Sequence, residues 1–197
     1  MASRAPAKKT PLQPADWVRA ALARLAAQGI GSVRVEILAR DLSASKGSFY
    51  WHFSGSEDLL RRMLVQWEED ETRWLDTAAS EPNAPSRWAK FVERNAAPDR
   101  IRLDIALRAW ARQDERVAKR LTAIEKRKAR FIAAVLRETG FSPSIAESWS
   151  EAVLLACFGW HDRSTRDSEF RLADRSLGEF LSELILAASA HPSRPSR

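Results

Sequence analysis

The side chains that most often carry catalysis are few in this sequence, and they do not converge. His161 stands directly before Asp162, which is the only adjacent pair that suggests acid–base or metal chemistry. One such pair at a helix end is more often a capping or surface feature, and His191 lies in the tail. Cys157, the single cysteine, excludes an intrachain disulfide and a cysteine-rich zinc site, and we expect it to be a small buried hydrophobic side chain. We therefore expect no enzyme activity, no metal and no cofactor, with a helical enzyme as the least favoured alternative.

Positive charge is concentrated near one end of the sequence. Residues 1–62 hold ten Lys and Arg against five Asp and Glu, whereas the rest of the chain holds 22 against 21. This asymmetry indicates an end that contacts a polyanion such as nucleic acid, and a solvated basic surface is the alternative. No apolar run reaches the roughly 18 residues of a membrane span, and no hydrophobic stretch follows the first basic residues. We expect a cytoplasmic protein that does not bind membranes.

The elements that would position functional residues are helices. Ala, Leu, Arg and Glu dominate, Gly is sparse, and apolar residues recur at the 3.6-residue period, which together predict an all-α fold. The first helix is expected from Pro14 to Gly29, the second is capped by Ser32, and a short third spans 46–51 with Ser45 as its cap. Three short helices within about 40 residues, the last two joined by a tight turn, are the geometry of a helix-turn-helix, whose last helix enters the major groove of DNA.

A long fourth helix is expected from near Gly55 to about residue 78, with Ser54 and Glu57 at the spacing of a capping box. Further helices are predicted over residues 86–95, 99–111, 114–139, 143–162 and 172–190. Short Pro-, Gly- or charge-containing segments separate them.

One longer string makes the helix-turn-helix specific. Residues 38–53 read LARDLSASKGSFYWHF and are followed by SGSEDLL. The string resembles the N-terminal signature of the tetracycline-repressor (TetR-like) family of transcriptional regulators, most specifically over residues 35–60. The resemblance implies a three-helix N-terminal helix-turn-helix head that a long fourth helix joins to a C-terminal helical bundle.

The resemblance also implies which residues contact DNA. Small residues such as Gly47 suit the approach of a recognition helix to the bases, and donors suit its contacts with phosphates. The expected DNA contacts are Arg34, Ser45, Lys46, Gly47, Ser48, Tyr50, Trp51 and His52, with Lys46, Tyr50 and His52 chiefly on phosphate. Phe49 and Phe53 would belong to the core of the head. A plain aromatic core over residues 50–53 is the alternative interpretation.

The string departs from the family pattern at three positions. Ser43 stands where the family usually has Gly in the turn, Ala44 where it often has Val, and Ser56 where it often has Lys. A Lys at the start of the fourth helix would help to hold a phosphate. Here that contact must be weaker, come from backbone N–H groups, or pass to Arg34 or to the basic residues of the N-terminal arm.

Both of the last two helices carry broad apolar stripes. In the family these helices pair with their symmetry mates in a four-helix bundle, which implies a homodimer with an isologous interface. The expected interface residues are Trp149, Val153, Leu177, Phe180, Leu181, Leu184 and Ile185. The alternative is that the stripes cover the core of a single chain. A two-fold dimer would place its recognition helices about 34–36 Å apart and so implies a palindromic operator.

Eight tryptophans are a high number for this length, and five fall on helices that surround the ligand cavity in the family. The expected ligand contacts are Trp67, Trp74, Trp88, Trp110 and Trp160, although aromatic stripes at helical spacing are usually core. An aromatic pocket would suit a hydrophobic or planar effector.

We therefore expect a DNA-binding transcriptional regulator, most often a repressor in this family, which a small effector releases from double-stranded operator DNA. A ligand-independent architectural factor is the alternative. The expected organisation is a flexible basic arm over 1–12, a helix-turn-helix domain over 13–60, a helical ligand-binding and dimerisation domain over 61–190, and a disordered tail over 191–197.

Overall fold

The computed structural model describes residues 11–167, 170 and 176–190, and within them all regular structure is helical. The elements are α1 (Pro14–Gln28), a 3₁₀ turn (Ile30–Ser32), α2 (Val35–Asp41), α3 (Lys46–His52), α4 (Ser56–Ala79), α5 (Ala84–Ala96), α6 (Pro98–Ala111), α7 (Glu115–Glu138), α8 (Pro143–Arg166) and α9 (Leu177–Ala190). The predicted all-α fold, with a three-helix head that a long fourth helix joins to a bundle, is confirmed. The N-terminal ten residues and the tail from residue 191 lie outside the described part.

Helix ends follow the sequence at some positions and depart from it at others. Ser45 caps α3 as predicted, because its Oγ accepts a hydrogen bond from the Ser48 backbone N at 3.1 Å. Ser32 was expected to cap α2, but it lies in the 3₁₀ turn, where its hydroxyl donates to the Gly29 carbonyl at 2.7 Å. Arg34 takes the cap position of α2 instead.

The predicted capping box at the start of α4 is also wrong. The Ser54 backbone N donates to the carboxylate of Asp58 at 3.3 Å rather than to Glu57, and Gly55 occupies the cap position. The last two helices differ in length from the prediction: α8 continues to Arg166, and α9 begins at Leu177. The predicted start of the last helix, residue 172, lies outside the described residues.

The turn between α2 and α3 contains a left-handed residue. Ser43 has φ of 50°, and it is the only non-glycine residue with positive φ in the described part of the chain. Its backbone N donates to the Arg40 carbonyl at 3.0 Å, which closes the turn. An L-residue in this conformation costs roughly 1–2 kcal/mol relative to its preferred regions. The departure from Gly at this position therefore carries a conformational cost.

Two apolar cores run along α4. The first begins in the head with Trp17, Leu38 and Phe49 and continues without a break into α6 and α7 of the body. The second lies between α5, α7, α8 and α9. Because Met63 of α4 packs in the first core and Leu75 in the second, a shift of this one helix would alter the packing of both cores. None of the described helices is long and apolar enough to cross a membrane.

Candidate DNA interface and a buried charge cluster

Helix α3 packs against the core of the head on one side and is exposed to solvent on the other. Phe49 is fully buried and stacks on Phe53 with ring centroids 4.9 Å apart. By contrast, Tyr50 is 60% exposed and Trp51 is 86% exposed. The interpretation of residues 50–53 as plain aromatic core is therefore wrong for Tyr50 and Trp51. Aromatic side chains left in water by a well-packed head indicate a surface that contacts a partner.

Lys46, at the start of the same helix, is held by an acid. Its Nζ lies 2.7 Å from Oε1 of Glu36 on α2, and both side chains are more than half exposed. This ion pair raises the pKa of Lys46 and lowers that of Glu36, in each case chiefly through the hydrogen bond between them. A phosphate that binds Lys46 must therefore compete with Glu36.

The remaining predicted contacts are partly engaged inside the head. His52 Nε2 lies 2.9 Å from the Leu12 carbonyl, so it must carry a proton and donate, which fastens α3 to the segment before α1. Arg34 donates from Nε to the Gly31 carbonyl at 3.0 Å. At Gly47 an added Cβ would meet only Ser45 Oγ at 3.6 Å, an ordinary contact. The fold itself therefore does not require glycine here, and the position keeps an open surface on α3.

Comparison with known proteins agrees with this geometry. Residues 18–63 match the sequence model of a family described as bacterial regulatory proteins, tetR family. The matched segment runs from α1 into the first turns of α4 and includes the whole helix-turn-helix. A search among curated proteins finds no match to the sequence.

Solved structures share the fold over most of the chain. A transcriptional regulator from Saccharomonospora viridis, in complex with choline, superposes with a TM-score of 0.74 at 17% identity, over 88% of this chain and 95% of that chain. A TetR-family regulator from Streptomyces coelicolor gives a TM-score of 0.70 at 17% identity, over 94% and 93%. A transcriptional regulator from Bacillus subtilis, in complex with stearoyl-CoA, gives 0.59 at 14% identity, over 89% and 97%.

The fold and the exposed third helix define a helical protein with an N-terminal helix-turn-helix of the DNA-binding kind. Residues 18–63 match the model of the tetR family of bacterial regulatory proteins and include the whole segment 35–60, so the resemblance recognised in that segment is confirmed.

The five predicted ligand tryptophans do not meet in one place. Trp67 and Trp110 belong to the first core, whereas Trp74, Trp88 and Trp160 pack against the second. Two cavities are described, of about 450 Å³ beside α4 and about 690 Å³ between α7 and α8, and only Trp110 lines one of them. The role of the tryptophans in ligand binding stays a prediction.

The predicted dimer residues fall into two groups that differ in burial. Val153, Leu177 and Leu181 are buried within the single chain, so they serve its own core rather than an outer surface. Trp149, Phe180 and Ile185 are half-buried, and for them the interface stays a prediction; the side chain of Leu184 lies outside the described part. Leu155 on α8 was not among the predicted interface residues, although its large apolar side chain is 67% exposed. Apolar residues occupy consecutive positions around it in α8, so the sequence does not indicate that Leu155 faces outward.

A cluster of charged side chains is buried in the body, where five helices meet. We call it the charge cluster; its members are Glu71 on α4, Arg94 on α5, Arg100, Asp104 and Arg108 on α6, Lys128 on α7 and His161 on α8. Glu71, Asp104, Lys128 and His161 are each at most 5% exposed. The sequence reasoning identified none of the six charged members, and it placed His161 at a surface.

His161 does not pair with Asp162 as the sequence suggested. Its Nε2 lies 2.8 Å from the Asn95 carbonyl, and its Nδ1 lies 4.0 Å from Asp104 Oδ2, whereas Asp162 pairs with Arg166 on the surface. Burial lowers the pKa of His161, although the charge of Asp104 opposes this shift. Cys157 is buried as expected, and burial raises the pKa of its thiol to about 12, so it is unreactive near neutral pH.

The two acids at the centre of the charge cluster are ionised. Burial opposes ionisation of Glu71 and Asp104, but the positive charges of Lys128 and Arg100 outweigh it and lower both pKa values. Arg100 Nη2 lies 2.6 Å from Glu71 Oε1 and Lys128 Nζ lies 3.0 Å from Glu71 Oε2, both as ion pairs, and Arg94 donates a hydrogen bond to Glu71 Oε1. The carboxylate of α4 is therefore tied to three other helices.

Proposed function

We propose that this protein is a transcriptional regulator that binds palindromic double-stranded DNA as a homodimer and acts as a repressor. Helix α3 lies in the major groove, with Tyr50 and Trp51 against the DNA and Lys46 on phosphate. A small molecule bound in the body releases the protein from its operator. The head over residues 13–60 is the DNA-binding unit, and the body over residues 61–190 carries ligand binding and dimerisation.

The observation that carries the proposal is the exposure of Tyr50 and Trp51 on a helix whose other face is locked in the core. Tyr50 and Trp51 are adjacent and exposed together, so they form an aromatic patch of the kind that marks a contact with a partner. The same helix begins with a lysine, so aromatic contact and phosphate contact are available side by side.

The proposal for the body is supported by its relatives and by its interior. The Saccharomonospora viridis structure was solved in complex with choline and the Bacillus subtilis structure in complex with stearoyl-CoA, so proteins of this fold bind ligands of different chemistry. In this chain α4 runs from the head directly to the charge cluster through Glu71. Such a path allows a ligand that favours one arrangement of the body to change the spacing of the two heads.

The test is selection of DNA fragments from a random pool by the purified protein, followed by titration of the best fragment at several salt concentrations. We expect one palindromic sequence, bound far more tightly than random DNA. Trp51→Ala should lower the affinity for it with an unchanged melting temperature, and Lys46→Gln should also reduce the salt slope by about one.

Arg73→Gln is the matched control for Lys46→Gln, because Arg73 is an exposed cation in a surface pair on α4, remote from α3. It should leave DNA binding unchanged. Weak, sequence-independent binding by the wild type would instead favour an architectural factor. Binding by Trp51→Ala and Lys46→Gln equal to the wild type would show that α3 is not the recognition helix.

A further inference from the structure

The charge cluster contains more positive than negative charge among the residues that the structure describes. Four cations, from three arginines and Lys128, surround the two ionised carboxylates of Glu71 and Asp104. A third acid, Glu125, lies 3.4 Å from Arg108, but burial raises its pKa and the nearby cations oppose that shift only in part. His161 adds no negative charge. At least one cation of the cluster is therefore not matched by an acid within it.

Several buried polar atoms of the cluster lack a hydrogen-bond partner within the described part of the chain. They are Nε of Arg94, Arg100 and Arg108, Nη2 of Arg100, Oε2 of Glu71, Oδ2 of Asp104 and Nδ1 of His161. Lys128 Nζ and Arg108 Nη2 lie 3.9 and 4.0 Å from Asp104 Oδ2, too far for a hydrogen bond. Buried donors are almost always satisfied in folded proteins, so four guanidinium nitrogen atoms without a hydrogen-bond partner mark the place of a further acceptor.

The cluster has aromatic borders and reaches the surface. The guanidinium of Arg108 lies over the ring of Phe158 at 3.4 Å, and that of Arg94 lies over Trp74 at 4.8 Å. The side chains of Arg94, Arg100 and Arg108 are 25%, 12% and 21% exposed. Solvent therefore contacts the edge of the cluster, and a small molecule has aromatic surface to cover beside it.

We propose that the charge cluster binds the acid group of an anionic effector, a carboxylate or a phosphate joined to an apolar part. This inference rests on the proposed function, in which a ligand in the body controls DNA binding. A planar guanidinium presents paired donors that match the oxygens of such a group, and Lys128 adds a point charge. The apolar part would lie against Phe158 or Trp74. The effector is thus an acid rather than a neutral hydrophobic compound.

The same contacts give the ligand a way to act on the head. Arg94, Arg100 and Lys128 hold Glu71, and with it α4, against α5, α6 and α7. A second anion in the cluster competes with Glu71 for these cations and weakens the hold on α4. Because α4 begins beside the DNA-binding helices at Ser56, its release changes their position.

The test is a binding titration of the full-length protein, followed by thermal unfolding, with benzoate and octanoate as probes. Each acid is compared with its alcohol and its amine at constant ionic strength, so that only the head group differs. We expect saturable binding of both acids below about 50 mM with a rise in melting temperature, and no saturable binding of the alcohols or amines. Equal behaviour of acid and alcohol, or absence of saturation by either acid, overturns the proposal.

Two substitutions of opposite sign separate a binding site from a purely structural network. Arg108→Gln should weaken benzoate binding about tenfold or more, and Asp104→Asn should strengthen it by a similar factor, because a unit charge acts strongly at these distances. Glu71→Gln should also strengthen it and serves if Asp104→Asn does not fold. Arg73→Gln is the control and should leave the affinity unchanged. A structural network would lower the stability of all three cluster variants without opposite changes in affinity.

Operator binding by the wild type is measured separately, which distinguishes this inference from the proposed function. Sequence-specific DNA binding without acid binding would refute only the proposal that the charge cluster binds an anionic effector. Acid binding without sequence-specific DNA binding leaves the cluster as an anion site but refutes the regulator.

Discussion

Replacement of Glu71 by glutamine tests whether the charge cluster holds the body together. The substitution keeps the shape of the side chain and removes the charge that Arg94, Arg100 and Lys128 share, with closest distances of 2.6 and 3.0 Å for the latter two. Removal of one partner from a buried ion pair typically costs about 3–5 kcal/mol, since the remaining charges stay buried. Asp104 still compensates part of the positive charge, so we expect a loss near 3 kcal/mol, the lower limit of this range.

In a chain of this length each kcal/mol shifts the melting temperature by roughly 2–4 °C, so Glu71→Gln should melt about 6–12 °C below the wild type. Thermal unfolding followed by circular dichroism at neutral pH measures this. Asp70→Asn is the matched control: Asp70 is the preceding residue of α4, in a solvent-exposed pair with Arg73, and its loss should change little.

A double variant refines the test. Lys128→Met added to Glu71→Gln removes one buried cation along with the acid, and we expect it to recover at least about 1 kcal/mol of the loss, because the two groups interact directly. A Glu71→Gln protein that melts within about 2 °C of the wild type would refute the reasoning. So would a double variant whose loss equals the sum of the two single losses.

Three further predictions concern the head and the buried histidine. Glu36→Gln removes the acid that competes with phosphate for Lys46, so operator affinity measured by fluorescence anisotropy should rise; an unchanged affinity would contradict a phosphate role for Lys46. Ser43→Val should destabilise the protein by roughly 1–2 kcal/mol in urea unfolding, because a β-branched residue fits φ of 50° poorly, whereas Ser43→Gly should not; equal losses would exclude backbone strain as the cause. Since burial lowers the pKa of His161, its contribution to stability is complete above its ordinary value near 6.5 and is lost as the pH falls below it. Melting temperatures between pH 8 and 5 should therefore fall less steeply for His161→Gln than for the wild type, and parallel curves would argue against this assignment.

The head could be predicted from the sequence because its signal is local. The string over residues 38–60 contains both the apolar residues that pack the helices together and the polar residues that face solvent. One continuous segment therefore predicts α3 and its cap at Ser45. Cap assignments failed at Ser32 and Ser54 because several serines and acids stand within one turn of each helix start. Which of them accepts the hydrogen bond depends on backbone angles that the sequence does not specify.

The charge cluster could not be predicted because its members are far apart in the chain. Three helices, α5, α6 and α7, separate Glu71 from His161 in the chain, and each charged residue, taken within its own helix, resembles part of the solvated face of an amphipathic helix. Only the packing of α7 against α4, α6 and α8, and of α5 against α4, brings these faces together. The same reason explains the tryptophans: the helical period marks them as inward-facing but does not say which of two cores each one joins.

The continuity of α4 through both cores also sets a constraint on how such a protein can change over evolution. One residue inserted between Met63 and Glu71 would rotate everything beyond it by about 100° around the helix axis, since a turn takes 3.6 residues. Glu71 would then face away from its arginines while the head kept its own packing. Substitutions on the exposed faces of the body leave this geometry unchanged, whereas an insertion or deletion between the head and the charge cluster would break the fixed angular relation between them.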